Sequence, residues 1–524
     1  MNLRLPASIR SCVLTLPALL ASPHATMASD GPDQSRSEPP VSRDALFDLA
    51  DEKPAVQKIE PAVRPATKDV LPESKDALFG ELPSEKAIAD KDSSPRPESK
   101  DALFDLPEKL KMAKSVKVEE EGRRWRGFFQ GEAAYTFADP NHWSKFMGRL
   151  ELGTQGKLGQ GMQWKVSGRV DYNPVFDLTD HYQNSVARDQ RAEFHLRETY
   201  IDFSAGDLEW RIGRQHVVWG EMVGLFFADV VSAKDLREFV LPDFQVMRIP
   251  QWAARAEYFK DDFHAEVVWV PFPSYDEIGK PQGPGAGQGA DFFPYPLPIA
   301  ALIMADDRPS ARWDHGNFGV RLSQLKSGWD VSGFFYSSMN TSPTFYRYVP
   351  GVLTPRHDRI RQWGGTLAKD FTDVVLKAEL VYTDGRRFNL TNVVAPDASG
   401  GVVKQDTLDW AVGLDFNPSS ETRLNAQLFQ RHFFDHNPNI IPDQSENGAS
   451  LLVSHSFSDR WKAEALIVRS LNRSDWMFRP KAIWSFQPNW KMTFGLDVFS
   501  GPVTGLFGQF DQRDRAYAEV RYDF

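Results

Sequence analysis

From Trp125 onward, apolar and polar residues alternate along the chain with a period of two. In residues 408–416 every second side chain is large and apolar, and the positions between them include Asp409 and Asp415. Comparable alternation occurs at 374–382, 422–428 and 515–524. Because alternation of this kind places one set of side chains on each face of a strand, the pattern predicts an all-β domain over residues 125–524.

The connections between these runs mostly alternate between short and long. Short turns are expected at 157–161, 205–207, 260–262, 325–328, 369–373, 417–420, 458–460 and 487–489. Longer connections, rich in Pro and Gly, are expected at about 174–190, 218–248, 272–312, 338–356, 384–405, 433–446 and 501–513. Transmembrane barrels show this asymmetry. The predicted fold class is therefore a transmembrane antiparallel β-barrel of about 18 strands, with 16 strands as the alternative.

Aromatic residues near the strand ends favour a membrane protein over a soluble one. They fit the girdles that barrels place at membrane interfaces, at Trp125, Trp210, Trp252, Trp313, Trp461 and Tyr522. A soluble all-β core would also use aromatic residues, but a secreted sandwich of this length without a disulfide is unusual. The last strand ends in Tyr522 and Phe524, which resembles the C-terminal insertion signal of bacterial outer-membrane barrels. That signal implies outer-membrane lipid and the barrel-insertion machinery as partners.

The N-terminal part has a different composition. Residues 1–28 are predicted to form a secretory signal, with a basic start and a short apolar run; a disordered or amphipathic N-terminus is the alternative. Residues 29–107 contain no Trp or Tyr and are predicted to be a disordered periplasmic tail. Residues 108–124 form a charged lead-in. Cys12, the only cysteine, lies in the signal, so disulfides and thiolate chemistry are not expected in the mature chain.

A DALF motif occurs three times in the tail, and it contains every tail Phe. Ser42, Ser74 and Ser99 are candidate N-caps for short helices whose Leu and Phe side chains form one apolar ridge. Such a ridge suits docking into a partner's groove, and three copies would add avidity. The predicted partner-binding residues are Leu46, Phe47, Leu49, Leu78, Phe79, Leu82, Leu103, Phe104 and Leu106. A duplicated spacer without a partner is the alternative.

Two of the long connections are unusually apolar, at 221–241 and 292–304. An exposed apolar loop invites aggregation, so one or both are expected to fold into the lumen as a plug or constriction. The residues assigned to it are Glu221, Leu225, Phe226, Phe227, Leu236, Arg237 and Phe239. Helical spacing is present over 233–241. The alternative is that the two loops pack on each other as an outer cap.

Charge and chemistry exclude several classes of function. The formal net charge is −10, which disfavours nucleic acid as a partner. No catalytic residues, metal ligands or cofactor are predicted, because His195, His216, His264, His432 and His455 have no catalytic spacing. A calcium loop at 435–447 does not match the usual order of ligands. Lumen-facing charges are expected to be of mixed sign, which argues against a strongly ion-selective pore.

Residues 211–259 resemble a little-characterised family of proteobacterial outer-membrane barrels. The resemblance is carried by Gly213-Arg214-Gln215, Trp219-Gly220-Glu221, Asp229-Val230-Val231-Ser232 and Leu236-Arg237, followed by a return strand. It covers roughly residues 125–524 and is sharp over about fifty positions. In that family the second half of the motif is a helix. The repeat tail is not a family feature.

The resemblance implies transport of lipid or hydrophobic cargo, often alongside a periplasmic lipid carrier and a proton-driven exporter. We therefore expect an outer-membrane barrel of a Gram-negative bacterium that moves a hydrophobic or amphipathic molecule. Its tail, in the periplasm, would couple it to a periplasmic or inner-membrane partner. The alternatives are a plugged porin or polymer-export pore for polar solutes, and a non-transport anchor that recruits an envelope complex.

Overall fold

The computed structural model describes residues 125–159, 161–220, 222, 227–283, 286–295, 302–310, 312–372, 374–391 and 399–524. The signal, tail, repeat and lead-in predictions lie outside these residues. Eighteen antiparallel strands form one sheet. They are β1 Arg126–Thr136, β2 His142–Lys157, β3 Met162–Tyr172, β4 Ala192–Ala205, β5 Leu208–Gln215, β6 Gln251–Lys260, β7 Phe263–Phe272, β8 Asn317–Lys326, β9 Trp329–Met339, β10 Arg359–Asp370, β11 Val374–Asp384, β12 Asp406–Ser419, β13 Thr422–Phe434, β14 Ser445–Ser458, β15 Trp461–Ser470, β16 Trp476–Gln487, β17 Trp490–Ser500 and β18 Arg515–Asp523.

The sheet closes on itself, because β1 pairs with β18 from Phe128 opposite Asp523 to Thr136 opposite Arg515. All eight predicted short turns join strands at one end, which we call the short-turn end. The seven predicted long connections join strands at the opposite, long-loop end. Two further connections at that end, 137–141 and 471–475, are short and were not predicted. The prediction of 18 strands is confirmed, and the alternative of 16 is wrong.

The two faces of the sheet differ in polarity as the alternation predicts. Outward-facing side chains are apolar and exposed, as at Leu380, Leu414 and Leu428. Inward-facing neighbours are polar and buried, as at Glu379 and Asp409. An apolar exterior of this kind is the surface that transmembrane barrels present to lipid.

Short elements occupy the long-loop end. Helices span Val175–Leu178, Asn184–Gln190 and Phe244–Met247, and 3-10 turns span Trp313–His315 and Gly508–Arg513. Small sheets form from Ala233–Lys234 with Arg248–Ile249, from Leu302–Ile303 with Thr344–Val349 and Val352–Arg356, and from Arg387–Asn389 with Val402–Lys404. Within the described part of the chain, none of the helices has the length and apolar character needed to cross a membrane.

The helix expected over 233–241 is absent, so that prediction was wrong. The backbone N–H of Asp235 donates to the Met247 carbonyl and that of Leu236 to the Glu277 carbonyl, both at 2.7 Å. Phe239 has a φ of 55°, outside the right-handed helical range. The backbone N–H groups of this segment are thus hydrogen-bonded to carbonyl groups of other segments, and they do not need a helix to find partners.

Candidate functional site

We call the connection between β5 and β6, residues 216–250, the lumen segment, and its described residues, 216–220, 222 and 227–250, lie inside the barrel. Most of their apolar side chains are buried against inward-facing wall residues. One cluster joins Met222, Leu236, Phe239, Val240, Leu241 and Met247 to Ala411, Phe429, Val468, Met477 and Phe499 of the wall. These wall residues belong to five strands, β12, β13, β15, β16 and β17. The lumen therefore contains an apolar core.

Trp219 anchors the start of the lumen segment to the opposite side of this core. Its side chain is fully buried, with ring centroids 5.2 Å from Phe334 and 5.6 Å from Tyr336, both on β9. Gly319 on β8 makes room for the indole, because a Cβ built there would lie 2.6 Å from Trp219 Cη2. A larger residue at that position would displace the anchor.

Polar wall residues hold the backbone of the lumen segment. The two carboxylate oxygens of Glu379 accept hydrogen bonds from the N–H groups of Met222 and Ala228, each at 2.8 Å. Three wall arginines donate to backbone carbonyls: Arg479 to Leu241 at 2.7 Å, Arg169 to Val246 at 2.9 Å and Arg197 to Arg248 at 2.7 Å. Buried hydrogen bonds to charged groups are worth about 1.5–3 kcal/mol each, so these contacts hold the segment in one conformation.

Ion pairs add to these contacts. Glu238 of the lumen segment lies 2.7 Å from Lys145 Nζ on β2 and 3.3 Å from Arg515 Nη1 on β18. Within the segment, Arg248 Nε is 2.9 Å from Asp229. The pairs and hydrogen bonds reach strands on all sides of the barrel, so the segment crosses the lumen.

The structure places four of the predicted plug residues. Leu236 and Phe239 belong to the apolar core, and Phe227 packs against it with its ring centroid 6.1 Å from Phe429. Arg237 does not join the core. It pairs instead with Asp235 and Glu193, each at 2.7 Å. Glu221, Leu225 and Phe226 lie outside the described residues.

The described residues of the second apolar connection make two kinds of contact. Phe292 points into the lumen and packs 5.9 Å from Phe499. Tyr295 instead joins the loop at 340–358, with its ring centroid 4.5 Å from Phe345. Residues 296–301 are not among those described. Phe292 therefore extends the apolar core, whereas Tyr295 packs on a third loop, which is neither of the two predicted arrangements.

A cavity of about 50 Å³ separates the lumen segment from the wall of β2 and β3. Charged side chains line it, including Lys145, Arg149, Asp171, Arg237, Glu238 and Arg515. Ligand sites usually enclose roughly 300–1,000 Å³. This cavity suits water, and cargo would need the lumen segment to move.

Charges of both signs face the lumen, as predicted, and many of them form ion pairs. Asp409 pairs with Arg431 at 2.6 Å, Asp415 with Lys377 at 3.2 Å, and Glu464 with Lys481 at 2.9 Å. Glu132, Arg515, Glu519 and Arg521 lie on the inward-facing positions of β1 and β18. Tyr522 and Phe524 lie on the outer face, stacked with centroids 5.7 Å apart.

Two clusters of potential metal ligands were not predicted. Glu257, His264 and Glu266 meet on β6 and β7. His142, His181 and Asp291 meet at the long-loop end, where burial and the neighbouring His142 lower the pKa of the His181 imidazole. Only His264 drew attention in the sequence, because the strand register that brings the carboxylates beside it is not evident from spacing alone. The His-x-Glu pattern at 264–266 was the available signal.

Comparison with known proteins identifies one family. A model described as "Protein of unknown function (DUF1302)" matches residues 125–524, which is the whole barrel. No curated protein matches the chain.

The comparison with solved structures finds proteins of low sequence identity to this chain. OccAB1 of Acinetobacter baumannii has a TM-score of 0.48 at 9% identity, covering 77% of this chain and 96% of that one. OccK8 (OprE) of Pseudomonas aeruginosa has a TM-score of 0.45 at 10% identity, covering 77% and 98%. OmpF of Salmonella typhi has a TM-score of 0.36 at 10% identity, covering 77% and 97%.

Proposed function

We propose that this chain, which belongs to the DUF1302 family across residues 125–524, is an outer-membrane barrel of a Gram-negative bacterium. The barrel moves a hydrophobic or amphipathic molecule. The observation that carries the proposal is the apolar core inside the lumen. Barrel interiors are ordinarily polar. Here the inward-facing positions of five neighbouring or near-neighbouring strands are apolar, at Ala411, Phe429, Val468, Met477 and Phe499, and we call these five residues the apolar stripe.

In the described conformation the lumen segment covers the apolar stripe. Movement of the segment would expose the stripe to the lumen, where it would contact an acyl chain or similar cargo through the hydrophobic effect. The segment thus serves as a plug, and its buried hydrogen bonds to Glu379 and the wall arginines keep the barrel closed. Opening needs a trigger that replaces these contacts.

The proposed trigger is a periplasmic or inner-membrane partner captured by the three DALF repeats. The two termini of the barrel domain lie together at the short-turn end, since β1 and β18 pair there. A tail preceding β1 would leave the barrel at that end, and we assign this end to the periplasm because the short turns of outer-membrane barrels face it. Coupling of partner and plug would give the transport step its direction.

Two other functions make different demands on the same barrel. A plugged porin would pass polar solutes through the charged side of the lumen, lined by residues such as Arg149 and Asp171. An assembly anchor would need no movement of the plug at all. The apolar stripe favours hydrophobic cargo, because neither alternative requires an apolar lumen wall.

The test begins with deletion of residues 218–248. Gln215 and Gln251 are direct register partners, so residues 216, 217, 249 and 250 can close the gap between β5 and β6. In planar bilayers we expect little conductance from the wild type and a steady open channel from the deletion variant. Equal conductance of the two proteins would refute the plug.

The cargo is tested by binding of cis-parinaric acid, a fluorescent fatty acid, to the deletion variant. We expect binding that is weakened by Met477→Gln on the apolar stripe and unchanged by Ser323→Gln, which places the same side chain on the opposite wall. An open channel that binds no fatty acid would favour the polar-solute alternative. A deletion variant without conductance or binding would favour the anchor.

A further inference from the structure

The hairpin of β6 and β7 brings three potential metal ligands together on its lumen face. Glu257 on β6 is the direct register partner of Glu266 on β7. His264 precedes Glu266 by two positions and so shares its face of the strand. One ligand atom from each of the three side chains lies within 4.8 Å of those from the other two. Opposite and diagonal positions on a hairpin are close enough for such an arrangement.

Both carboxylates are withdrawn from water, at 5% exposure for Glu257 and 4% for Glu266. His264 Nε2 lies 3.0 Å from Glu257 Oε1. Oε1 of Glu266 is buried, and the indole of the fully buried Trp219 lies beside this carboxylate. Two adjacent buried carboxylates repel each other, and burial withdraws them from the water that would otherwise solvate their charges. A cation bound between them would relieve both effects.

The surrounding charges select the kind of cation. Arg255 lies 2.9 Å from Glu257, and Arg321 on β8 is the register partner of Glu266. These guanidinium groups reduce the net negative charge of the site without separating the two carboxylates, which weakens the attraction of the site for a hard ion such as Ca²⁺ or Mg²⁺. An ion that also bonds strongly to imidazole should bind this site more tightly than Ca²⁺ or Mg²⁺ does.

We propose that Glu257, His264 and Glu266 bind a divalent first-row transition metal, with Zn²⁺ as the reference ion. One imidazole and two carboxylates suit Zn²⁺, and three protein ligands leave a fourth tetrahedral position for water or an incoming ligand. His264 is two residues from the turn at 261–262, so the site lies near the short-turn end of the barrel. It also lies beside Val268, which packs in the same buried cluster as Trp219 of the lumen segment.

The experiment is isothermal titration of ZnCl₂ into the full chain, purified in detergent and stripped with EDTA. All proteins carry His142→Gln, which silences the second cluster at the long-loop end. We expect one equivalent of Zn²⁺ bound by this background protein. Cobalt titrated in its place should give visible d–d absorption with the same stoichiometry.

His264→Gln and Glu266→Gln should each abolish binding of this equivalent of Zn²⁺. Glu464→Gln should retain it, because Glu464 is a buried lumen glutamate outside the site. Folding of every variant is verified by its heat-dependent migration on SDS gels. Glu266→Gln is isosteric and removes one of two adjacent like charges, so it is expected to fold even if His264→Gln does not. Absence of bound Zn²⁺ in the background protein, or full binding by Glu266→Gln, would overturn the proposal.

Discussion

Glu379, on the barrel wall, accepts a hydrogen bond at 2.8 Å from the backbone N–H of Met222, in the segment that fills the lumen. Its second carboxylate oxygen accepts the N–H of Ala228 at the same distance. One wall side chain thus holds the segment at two points on either side of residues 223–226. The relationship makes Glu379 the natural place to test whether the lumen segment controls the pore.

Replacing Glu379 by Gln should loosen the lumen segment. The amide keeps one acceptor but presents an NH₂ group to the second N–H, and a buried unpaired donor costs about 1–3 kcal/mol. In planar bilayers we expect more frequent openings than for the wild type. Glu464→Gln provides the control, because Glu464 pairs with Lys462 and Lys481 on the wall. Identical opening frequencies for the two variants would contradict a gating role.

Gly319→Val should displace Trp219 from its pocket on β8 and β9. The added Cβ would lie 2.6 Å from the indole and 2.5 Å from the Tyr336 ring, and overpacking of this kind costs about 1–3 kcal/mol. We expect faster proteolytic cleavage within residues 216–250 while the barrel remains folded. Gly333→Val on β9 is the control, since the nearest atom to its added Cβ is 4.0 Å away. Equal cleavage rates would show that Trp219 does not anchor the segment.

Substitutions of Phe239 can separate the effect of backbone strain on stability from the effect of side-chain packing. Its ring is fully buried against Phe507 and Phe510, so truncation to Ala should destabilise the protein by about 3–5 kcal/mol. Its φ of 55° disfavours Ala relative to Gly by about 1–2 kcal/mol. Phe239→Gly should therefore melt at a higher temperature than Phe239→Ala in thermal unfolding. The opposite order would mean that the segment rearranges around the cavity.

Asp514, in the connection before β18, should make the thermal stability of the protein depend on pH. Burial, followed by the charge of Asp511, raises the pKa of its carboxyl from the ordinary value of 3.8 to about 6. A raised carboxyl pKa means that the folded state favours the protonated form, so this contribution is full below about pH 4 and is lost as pH rises through 6.

Asp514→Asn removes the charge while its side-chain oxygen can still accept the Phe499 N–H, now bonded at 2.8 Å. We expect the variant to unfold at a higher temperature than the wild type at pH 7.5 and at the same temperature near pH 4. A pH-independent difference for Asp514→Asn would disprove the raised pKa.

If the tail repeats dock a partner, removal of their Phe side chains should abolish partner capture without affecting the barrel. Replacing Phe47, Phe79 and Phe104 together by Ala removes the large side chain of each proposed docking ridge, so cross-linking in cells to periplasmic or inner-membrane proteins should be lost. Insertion of the barrel, measured by heat-dependent gel migration, should be unchanged. The control replaces three tail serines outside the motifs by Ala, at Ser84, Ser93 and Ser94. Persistent capture by the Phe variant would rule out the docking role.

Local sequence chemistry predicted the strands and turns well. The eight short turns and the inward positions of Glu379, Asp409 and Glu519 follow from alternation and turn residues, which act over two to five positions. The prediction of a helix over 233–241 was wrong because the conformation of this segment depends on contacts that are distant in the sequence. Its helical spacing is real, but the backbone of Leu236 bonds to Glu277, about forty residues away, and spacing carries no information about such partners.

The sequence by itself determined a closed antiparallel barrel with an apolar exterior, because a period of two and short turns dictate the sheet and its two faces. Tertiary structure decided what fills the lumen. Closure of the sheet brings Glu379 to Met222, Gly319 to Trp219 and Glu257 to Glu266. The first two contacts join residues that are distant in the chain, and the third depends on a register that one residue's shift would abolish. Contacts of this kind exist only once the barrel has closed or the hairpin has paired, so no local pattern encodes them.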